Sequence, residues 1–249
     1  MRLITWNIGG GRRINSYSQW DYTNEDLKYF ADQINELDPD LVMLQETLTS
    51  PKRIQAERLS QMTGLSYSLN VAMSPDHINP EEYLSCSVIS KKPLNNALNI
   101  IQPYPDFPLV FKDGREAQRF DKYFMKFKIG GVTFINTQIQ PLHYWGYKYM
   151  EGKGKDYASK LETSLTQILE TPAIICGDFQ FGELESVMPN LFKKLFLIEA
   201  LPNEPTRIRA DGNNTRSDHI LISRDFKIVE SKVIHTQTDH RLGFTEITI

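Results

Sequence analysis

Residues 172–180 read PAIICGDFQ, a stretch in which a predicted β-strand leads directly into a carboxylate that is a candidate reactive group. Pro172 opens a run of four apolar residues, which is typical of a strand buried on both faces of a sheet. The run leads into Gly177-Asp178, so a carboxylate stands at the end of the predicted strand. Because residues 156–170 carry apolar side chains at helical spacing just before it, the segment predicts a helix followed by a buried strand. The plainer interpretation of Asp178 is a hydrogen-bonded turn residue.

Two N-terminal segments repeat the order of a strand followed by a polar side chain. Residues 3–8 alternate between two faces before three glycines stop the pattern, which predicts a strand that carries Asn7 at its end. Residues 41–44 read LVML and lead into Gln45 and Glu46, so Glu46 also stands at a predicted strand end. Taken singly, Asn7 has the plainer interpretation of a turn residue and Glu46 that of an exposed carboxylate.

Helix start and stop signals predict two helices in the first quarter of the chain. The first begins near Thr23, where Thr23 and Asp26 resemble a capping box, and it ends before Pro39. The second has Ser50-Pro51 as its cap and first residue, and Gly64 closes it. In the first helix one apolar stripe is formed by Leu27, Phe30, Ala31, Ile34 and Leu37.

The rest of the chain is predicted to be rich in strands. Residues 122–129 and 132–139 form a hairpin through Gly130-Gly131, whereas residues 152–155, GKGK, are expected to be a flexible, solvated loop. No repeat or linker divides the sequence, which predicts a single domain over residues 1–249. The remaining predicted elements are a short helix near 183–191 and strands over 219–223, 226–234 and 242–248.

Two Asp-His pairs, Asp218-His219 and Asp239-His240, lie near the C-terminal end. Such a pair is often a hydrogen-bonded surface turn, but together with Asn7, Glu46 and Asp178 these residues offer oxygen donors and imidazole without sulfur. Hard oxygen ligands suit Mg²⁺, with Mn²⁺ as an alternative, rather than zinc. Mg²⁺ in turn suits phosphate chemistry, because it offsets the negative charge of a phosphoryl group under attack.

Composition limits the classes of partner. The chain has 28 basic and 31 acidic residues for a formal net charge of -3, which argues against tight nonspecific DNA binding without excluding a nuclease. Cys86 and Cys176 are too few and too far apart for a disulfide framework or a thiolate zinc site. The first ten residues are too polar for a signal-peptide core, and no apolar run is long enough to span a membrane. We therefore expect a soluble, cytoplasmic monomer without stable membrane association.

Six short motifs occur in an order that spans nearly the whole chain, and the ordered series resembles the endonuclease/exonuclease/phosphatase superfamily. This superfamily includes DNase I-like nucleases, abasic-site endonucleases, tyrosyl-DNA phosphodiesterases, inositol polyphosphate 5-phosphatases and neutral sphingomyelinases. The resemblance implies a four-layered α/β/β/α sandwich of two mixed, mostly antiparallel sheets, with a metal site at one edge. The motifs are TWN (5–7), LQET (44–47), NTQIQ (136–140), GDFQ (177–180), SDHILIS (217–223) and TDH (238–240).

The resemblance also implies which residues form the site. Glu46 would be the main metal ligand, and Asn7 and Asp239 would complete the metal site. Asp178 would orient and deprotonate the attacking water. Gln180 would help Asp178, and His240, held by Asp218, would stabilise the transferring phosphoryl group. These roles agree with the residue types, since such chemistry needs a base near the water and a cation across from it.

Three positions depart from the superfamily pattern. Gln180 stands where asparagine is usual, which moves the amide by one methylene. Gln138 stands where many members have histidine, so we assign Gln138 and the nearby His143 to substrate binding, with Tyr144 as a further candidate for the lost imidazole. Thr238 replaces serine, which is a mild change.

Three functions fit the sequence. The first is a phosphodiesterase on nucleic acid, either a nuclease or a DNA/RNA end-processing enzyme. The second is a phosphatase or phosphodiesterase for a small molecule or lipid headgroup, of the inositol phosphate or sphingomyelin type, with the loop from Pro103 to Pro108 as a substrate lip. The third is a non-catalytic binding module with the same fold. Candidate contacts to a nucleic-acid backbone are Arg12, Arg13, Arg115, Arg119, Arg207, Arg209 and Arg216.

Overall fold

A computed structural model describes residues 1–16 and 21–248, which form two β-sheets packed face to face with helices on the outer surfaces. The strands are β1 (Arg2–Asn7), β2 (Arg12–Ser16), β3 (Asp21–Glu25), β4 (Leu41–Ser50), β5 (Arg53–Ile54), β6 (Tyr67–Pro75), β7 (Tyr83–Ser90), β8 (Asn95–Ile101), β9 (Tyr123–Ile129), β10 (Val132–Gln138), β11 (Ala173–Asp178), β12 (Leu197–Glu199), β13 (Asp218–Ser223), β14 (Lys227–Ile234) and β15 (Leu242–Thr248). The helices are α1 (Leu27–Leu37), α2 (Gln55–Thr63), α3 (Gly152–Ile168), α4 (Leu184–Val187) and α5 (Pro189–Lys193), and Leu142–Trp145 form a 3-10 turn.

Each sheet is mixed. The first has the strand order β14-β15-β1-β4-β7-β6, with β5 attached to β4, and the second has the order β12-β13-β11-β10-β9-β8. The pairs β1–β4 and β10–β11 are parallel, and they lie inside their sheets with antiparallel neighbours on both sides. Strands β2 and β3 form a separate two-stranded ribbon. The predicted four-layered sandwich of mixed, mostly antiparallel sheets is therefore confirmed.

Three buried clusters hold the four layers together. Alternate residues of β4 show why its sequence is uniformly apolar: Leu41 and Met43 enter the core between the sheets, while Val42 and Leu44 pack beneath α1 and α2. A third cluster, which includes Leu161, joins the second sheet to α3. Burial of each such side chain stabilises the fold by about 1.5–3 kcal/mol. Since both faces of the inner strands are covered, their polar residues can emerge only at strand ends or irregularities.

The N-terminal helices begin later than predicted. Thr23 lies in β3, where its hydroxyl accepts from the backbone N–H of Arg13 at 2.9 Å, and the N-cap of α1 is Asp26. Ser50-Pro51 does not cap α2, because β4 continues through Ser50 and pairs with β5 before the helix begins at Gln55. Both errors have one cause: Thr23 and Ser50 resemble helix caps in the local sequence, but each lies in a strand that pairs with another strand. The predicted stop at Gly64 is confirmed by its left-handed backbone.

The GKGK segment is not a loop. Residues 152–155 form the first turn of α3, and Gly154 is buried there. A Cβ atom at Gly154 would lie 2.1 Å from the carbonyl oxygen of Lys148, so glycine permits a close approach of two backbone segments. The prediction of a solvated loop was wrong because this packing role has no local signature.

The hairpin of β9 and β10 and the C-terminal strands lie close to the predicted ranges. Residues 183–191 were predicted as one short helix, and the structure has two, α4 and α5. Among the residues that the structure describes, none of the helices combines the length and apolar character that a membrane span requires.

Candidate active site

The parallel strand pairs bring the sequence-predicted side chains to one edge of the sandwich. In the first sheet Asn7 is the Cα partner of Gln45, and in the second sheet Gln138 is the Cα partner of Asp178. Asp178 is also opposite Asp218, because β13 begins where β11 ends. The site is therefore assembled from the C-terminal ends of β1, β10 and β11, together with the middle of β4 and the start of β13.

A polar bridge fixes the two sheets to each other beside this edge. Gln45 donates to the amide oxygen of Asn136 at 2.7 Å, and Asn136 donates to the carbonyl oxygens of Leu44 and Ser87 at 3.0 and 2.8 Å. Both amide side chains are fully buried. Because a buried amide is costly unless it is hydrogen-bonded, this bridge fixes the spacing of the sheets at the site.

Glu46 reaches the site from a β-bulge rather than from a strand end, which corrects the prediction. The register of β4 against β7 shifts between Leu44 and Thr47, and Glu46 has a φ of 55°. A bulge turns one side chain out of the strand's alternation. The register shift depends on the neighbouring strand, so the local sequence did not indicate it.

Amide donors from two directions surround the carboxylate of Asp178, which is fully buried. Asn7 Nδ2 donates to its Oδ2 at 3.2 Å, the backbone N–H of Gln180 donates to its Oδ1 at 3.1 Å, and the side-chain amide of Gln180 donates to Oδ2 as well. Burial raises the pKa of Asp178 to about 6, with Asp218 and Glu46 adding to the rise and His240 and Arg207 opposing it. This carboxylate is therefore both oriented and more basic than an exposed aspartate.

His240 is held in a single orientation by Asp218. Its Nδ1 lies 2.8 Å from one carboxylate oxygen of Asp218 and 3.1 Å from the other, while its Nε2 lies 4.0 Å from Asp178 and 3.9 Å from Asp239. Burial opposes protonation, but Asp218, Asp178 and Asp239 outweigh it and raise the pKa of His240 to about 10. The ring is thus a cation that presents Nε2 to the other acidic groups of the site.

The other Asp-His pair does not deliver its imidazole to the site. The two ring nitrogens of His219 lie 2.6 Å from Glu199 and 2.9 Å from the carbonyl oxygen of Phe181, and the residue is fully buried. His219 is therefore bound within the protein interior, and only its neighbour Asp218 faces the site.

A hydrogen-bonded row runs from Lys122 to Glu46. Lys122 Nζ donates to Gln138 Oε1 at 3.0 Å, and Gln138 Nε2 donates to Glu46 Oε1 at 2.5 Å. Burial would raise the pKa of Glu46, but hydrogen bonds from Asn7 and Gln138 and the charges of His240 and Lys122 outweigh it and lower that pKa. The sequence analysis missed Lys122, whose only signal was its place at the start of a hairpin strand.

Gln180 adapts its longer side chain through a left-handed backbone. Its φ is 65°, and its amide donates to Asp178 while its Oε1 accepts from Arg207 at 3.2 Å. Arg207 also donates to the hydroxyl of Tyr144 at 3.2 Å. One amide therefore connects the buried carboxylate of Asp178 to a cation at the cavity wall.

A cavity of about 720 Å³ opens beside these residues. His143 lies on its wall next to the ring of Tyr144, which in turn lies edge-on to the ring of Trp145. Burial, together with the nearby charges of Arg207 and Arg209, lowers the pKa of His143 to about 4. His143 is thus a neutral hydrogen-bonding group on this wall. The cavity lining also includes Glu46, Gln138, Gln180, Asp239, His240 and Lys122.

Two of the seven candidate arginines, Arg207 and Arg209, line the cavity. Arg119 lies over the ring of Tyr104, 4.7 Å from its centroid. In the loop from Pro103 to Pro108, Phe107 is buried in the core beneath α3. The expected row of arginines along a backbone groove is therefore not formed. Arg209 also pairs with Asp211 at 3.5 Å. The other four pair with carboxylates as well: Arg12 with Asp76, Arg13 with Asp26, Arg115 with Asp113 and Arg216 with Glu199.

The Arg12–Asp76 pair predicts a large effect on stability. Their closest atoms are 2.6 Å apart, and the side chains are 8% and 0% exposed. Because Asp76→Asn leaves a buried guanidinium without its counter-ion, we expect the free energy of unfolding to fall by about 3–5 kcal/mol in urea titrations at pH 7. A matched charge removal at an exposed pair, Glu151→Gln opposite Lys148, should change it by less than about 0.5 kcal/mol.

The destabilisation caused by Asp76→Asn should become smaller in acid. Burial would raise the pKa of Asp76, but hydrogen bonds from Arg12 and Asn79 outweigh it and lower that pKa in the folded protein. The stabilisation is therefore present above the unfolded pKa of about 3.9 and is lost as the pH falls further. If the free energy of unfolding differs between wild type and Asp76→Asn by the same amount from pH 7 to pH 3, the lowered pKa of Asp76 is contradicted.

The site's donor set fits a hard divalent cation. Asp178, Asp218 and His240 each offer a ligand atom within 4.8 Å of one another, but both oxygens of Asp218 lie within hydrogen-bond distance of His240. Burial, together with repulsion from Glu46, raises the pKa of Asp239, which is the sign of negative charge that lacks a full set of partners. Carboxylate and amide oxygens in such a group suit Mg²⁺ or Mn²⁺.

One protein family has a model that covers most of this chain. The family model described as Endonuclease/Exonuclease/phosphatase family matches residues 4–240. A search of curated protein sequences finds no match.

Solved structures with the same fold have low sequence identity to this chain. An endonuclease/exonuclease/phosphatase from Beutenbergia cavernae is 13% identical with a TM-score of 0.77, over 100% of this chain and 71% of that one. A mannosyl-6-phosphatase from Bacteroides thetaiotaomicron is 17% identical with a TM-score of 0.64, over 100% of both chains. The 3′ phosphatase NExo from Neisseria, bound to product DNA hairpin, is 18% identical with a TM-score of 0.61, also over 100% of both.

Proposed function

Because the chain belongs to the Endonuclease/Exonuclease/phosphatase family, whose members hydrolyse phosphoesters, we propose that it is a Mg²⁺-dependent phosphoesterase in which Asp178 activates the attacking water. The observation that carries the proposal is the pairing of two groups across 4.0 Å, the oriented carboxylate of Asp178 and the imidazolium of His240. At this spacing the base can act on the attacking water while the cation donates to a neighbouring phosphoryl oxygen.

Asp178 is the proposed general base. Three hydrogen bonds from Asn7 and Gln180 hold its carboxylate in one orientation, and burial brings its pKa closer to neutral than that of an exposed aspartate. A base works best when its pKa is near the working pH, because it is then both deprotonated and a good proton acceptor. Asp178 accordingly takes one proton from water as the oxygen attacks phosphorus. The bond from phosphorus to the ester oxygen breaks, and the departing alkoxide takes a proton from solvent.

His240 is the proposed electrostatic stabiliser. Asp218 holds its Nδ1, so the N–H at Nε2 is free to donate to a phosphoryl oxygen as negative charge builds there. Glu46, Asn7 and Asp239 would hold the metal ion, and a bound Mg²⁺ supplies positive charge for the phosphoryl oxygens.

The proposed substrate is a nucleic-acid phosphodiester in a single strand or at a strand end. Support comes from the cavity wall, where Phe111, Tyr144 and Trp145 stand beside Arg207 and Arg209. Bases stack on such rings at about 1–3 kcal/mol each, and guanidinium groups pair with phosphates. A duplex backbone would require a longer basic groove than the two arginines provide.

A second candidate substrate is a small phosphorylated molecule. A cavity of about 720 Å³ with walls on several sides is of the size that small-molecule sites have. One of the similar structures is a mannosyl-6-phosphatase, which belongs to this class by its name. The two candidates differ in whether a base or a polar small group occupies the aromatic part of the cavity.

A substrate panel with Mg²⁺ tests both candidates. We would measure turnover of single-stranded and duplex oligonucleotides of DNA and RNA, 3′-phosphorylated ends, inositol phosphates, mannose 6-phosphate and sphingomyelin vesicles. Single strands or strand ends should be hydrolysed fastest. Turnover confined to the small phosphates would replace the first candidate by the second. Failure to hydrolyse even bis(p-nitrophenyl) phosphate would favour a non-catalytic binding module.

Gln180 should contribute to the rate through Asp178. The Gln180→Ala variant removes the amide that joins Asp178 to Arg207, so kcat for bis(p-nitrophenyl) phosphate should fall about tenfold to a hundredfold. Gln180→Asn tolerates the positive φ but cannot reach both partners, and we expect an intermediate loss. Full activity of Gln180→Ala would show that the remaining contacts orient Asp178 without it.

A further inference from the structure

Lys122 occupies a position in the site that the proposed roles do not use. It stands immediately before β9, it lines the cavity, and its Nζ donates to Gln138 Oε1 at 3.0 Å. An ammonium has three N–H donors, of which this bond uses one. Within residues 1–16 and 21–248 no carboxylate lies at ion-pair distance from it, so its remaining donors have no anionic partner from the described chain.

The amide of Gln138 fixes where the ammonium points. Glu46 can only accept and Lys122 can only donate, so the amide has a single orientation with Nε2 toward Glu46 and Oε1 toward Lys122. The Gln138 side chain is buried, and the backbone carbonyl oxygen of Gln138 accepts from the side-chain amide of Gln102 at 3.1 Å. Neither end of this residue is free to turn.

The strand order places Lys122 on one side of Asp178 and His240 on the other. Along the edge of the second sheet Lys122 precedes β9, Gln138 ends β10 and Asp178 ends β11. Asp218 then begins β13 and holds His240. A phosphoryl group attacked by a water on Asp178 would therefore have the Nζ of Lys122 on one flank and the Nε2 of His240 on the other.

We propose that Lys122 is a catalytic residue that donates a hydrogen bond to a non-bridging oxygen of the phosphoryl group, and that Gln138 is the positioning residue that aims it. This inference rests on the proposed phosphoesterase function. It explains the departure at Gln138, because the ammonium supplies the positive charge that an imidazole at position 138 would otherwise bring. Lys122 remains the hydrogen-bond donor throughout, and no proton is transferred in this contact.

Kinetics with saturating Mg²⁺ give the first test. For bis(p-nitrophenyl) phosphate, Lys122→Met should lower kcat/KM by about a hundredfold, as the loss of one donor to a developing charge does. Lys122→Arg should recover part of the loss, and Gln138→Met should lower kcat/KM without abolishing it. The matched control is Lys128→Met, which lies in β9, the strand that follows Lys122, but is paired with Glu170 and should keep wild-type rates.

Binding of inorganic phosphate gives a readout that does not depend on turnover. With Mg²⁺ present, calorimetry should show a dissociation constant about tenfold higher for Lys122→Met than for wild type, and an unchanged one for Lys128→Met. The affinity for Mg²⁺ alone should change less than threefold in Lys122→Met. A larger change would mean that Lys122 serves Glu46 and the ion rather than the phosphoryl group, and it would overturn the inference.

The outcomes separate this inference from the proposed function. If Asp178→Asn loses activity while Lys122→Met keeps kcat/KM and the phosphate affinity within twofold of wild type, the phosphoesterase assignment holds and the role of Lys122 is wrong. If the wild-type protein neither hydrolyses phosphoesters nor binds phosphate, both are wrong. If it binds phosphate without turnover and Lys122→Met weakens that binding, the anion contact stands and the hydrolytic function fails.

Discussion

Replacement of Asp178 by asparagine is expected to lower kcat for bis(p-nitrophenyl) phosphate by about a thousandfold or more. An amide cannot accept the proton of the attacking water, and a positioned general base contributes about 10² to 10⁴ to a rate. Asparagine also places an NH₂ group where Asp178 now only accepts from Asn7 and Gln180, so the water loses its orientation as well. Both effects act on kcat rather than on substrate binding.

The controls for this variant address folding and charge. Asp225→Asn removes one aspartate from an exposed turn and should leave kcat unchanged. Circular dichroism and the melting temperature should show that Asp178→Asn remains folded, since the substitution removes a buried charge rather than an apolar contact. A folded variant with more than a tenth of wild-type kcat would exclude Asp178 as the base.

Replacement of Glu46 by glutamine should weaken the binding of Mg²⁺ by at least about a hundredfold, since even partners outside the ligand shell cost about 10- to 100-fold in metal affinity. Glutamine has the same shape and can still accept from Gln138, so the change removes charge with little repacking. Activity at low Mg²⁺ should be lost and should recover in part at high Mg²⁺. Calorimetric titration of Mg²⁺ and Mn²⁺ measures the affinity directly, and Glu151→Gln is the exposed control.

This experiment also decides between two groups of ligands. Unchanged Mg²⁺ affinity in Glu46→Gln would place the ion at Asp178, Asp218 and His240, whose ligand atoms lie within 4.8 Å of one another. The site around Glu46 is the better candidate, because Asp218 and His240 already satisfy each other. Removal of divalent ions by a chelator should abolish turnover in either case, and activity that survives it would contradict a metal-dependent mechanism.

Local periodicity was sufficient for elements whose pattern reflects burial. The alternation around Asn7 and the apolar runs before Glu46 and Asp178 each marked an inner strand, because inner strands are covered on both faces by the cores that the sheets and helices share. The pair Gly130-Gly131 predicted the β9–β10 hairpin, because two glycines in sequence suit the backbone angles of a tight turn. The ordered motifs then implied which strand ends meet.

Cap signals were less informative, because one residue type serves several structures. Thr23 looked like a helix cap but bonds within the β2–β3 ribbon, and Ser50-Pro51 looked like a helix start but lies where β4 turns toward β5. In both places strand pairing outweighed a local preference worth about 1 kcal/mol. The sequence GKGK at residues 152–155 was predicted to be a loop but begins α3. Its second glycine, Gly154, permits the close approach of the backbone at Lys148, a role that the local sequence does not indicate.

The sequence by itself determined the layered α/β architecture and the chemical character of the site, because burial patterns and residue types are properties of the chain. Only the tertiary structure decided that Glu46 arrives on a bulge, that five of the seven arginines pair with carboxylates, and that Lys122 stands beside Gln138. Each of these three features depends on which residue, distant in sequence, lies next to the bulge or the charged side chain in the folded protein. Cross-strand register and charge pairing are set when the sheets assemble, and no short segment contains that information.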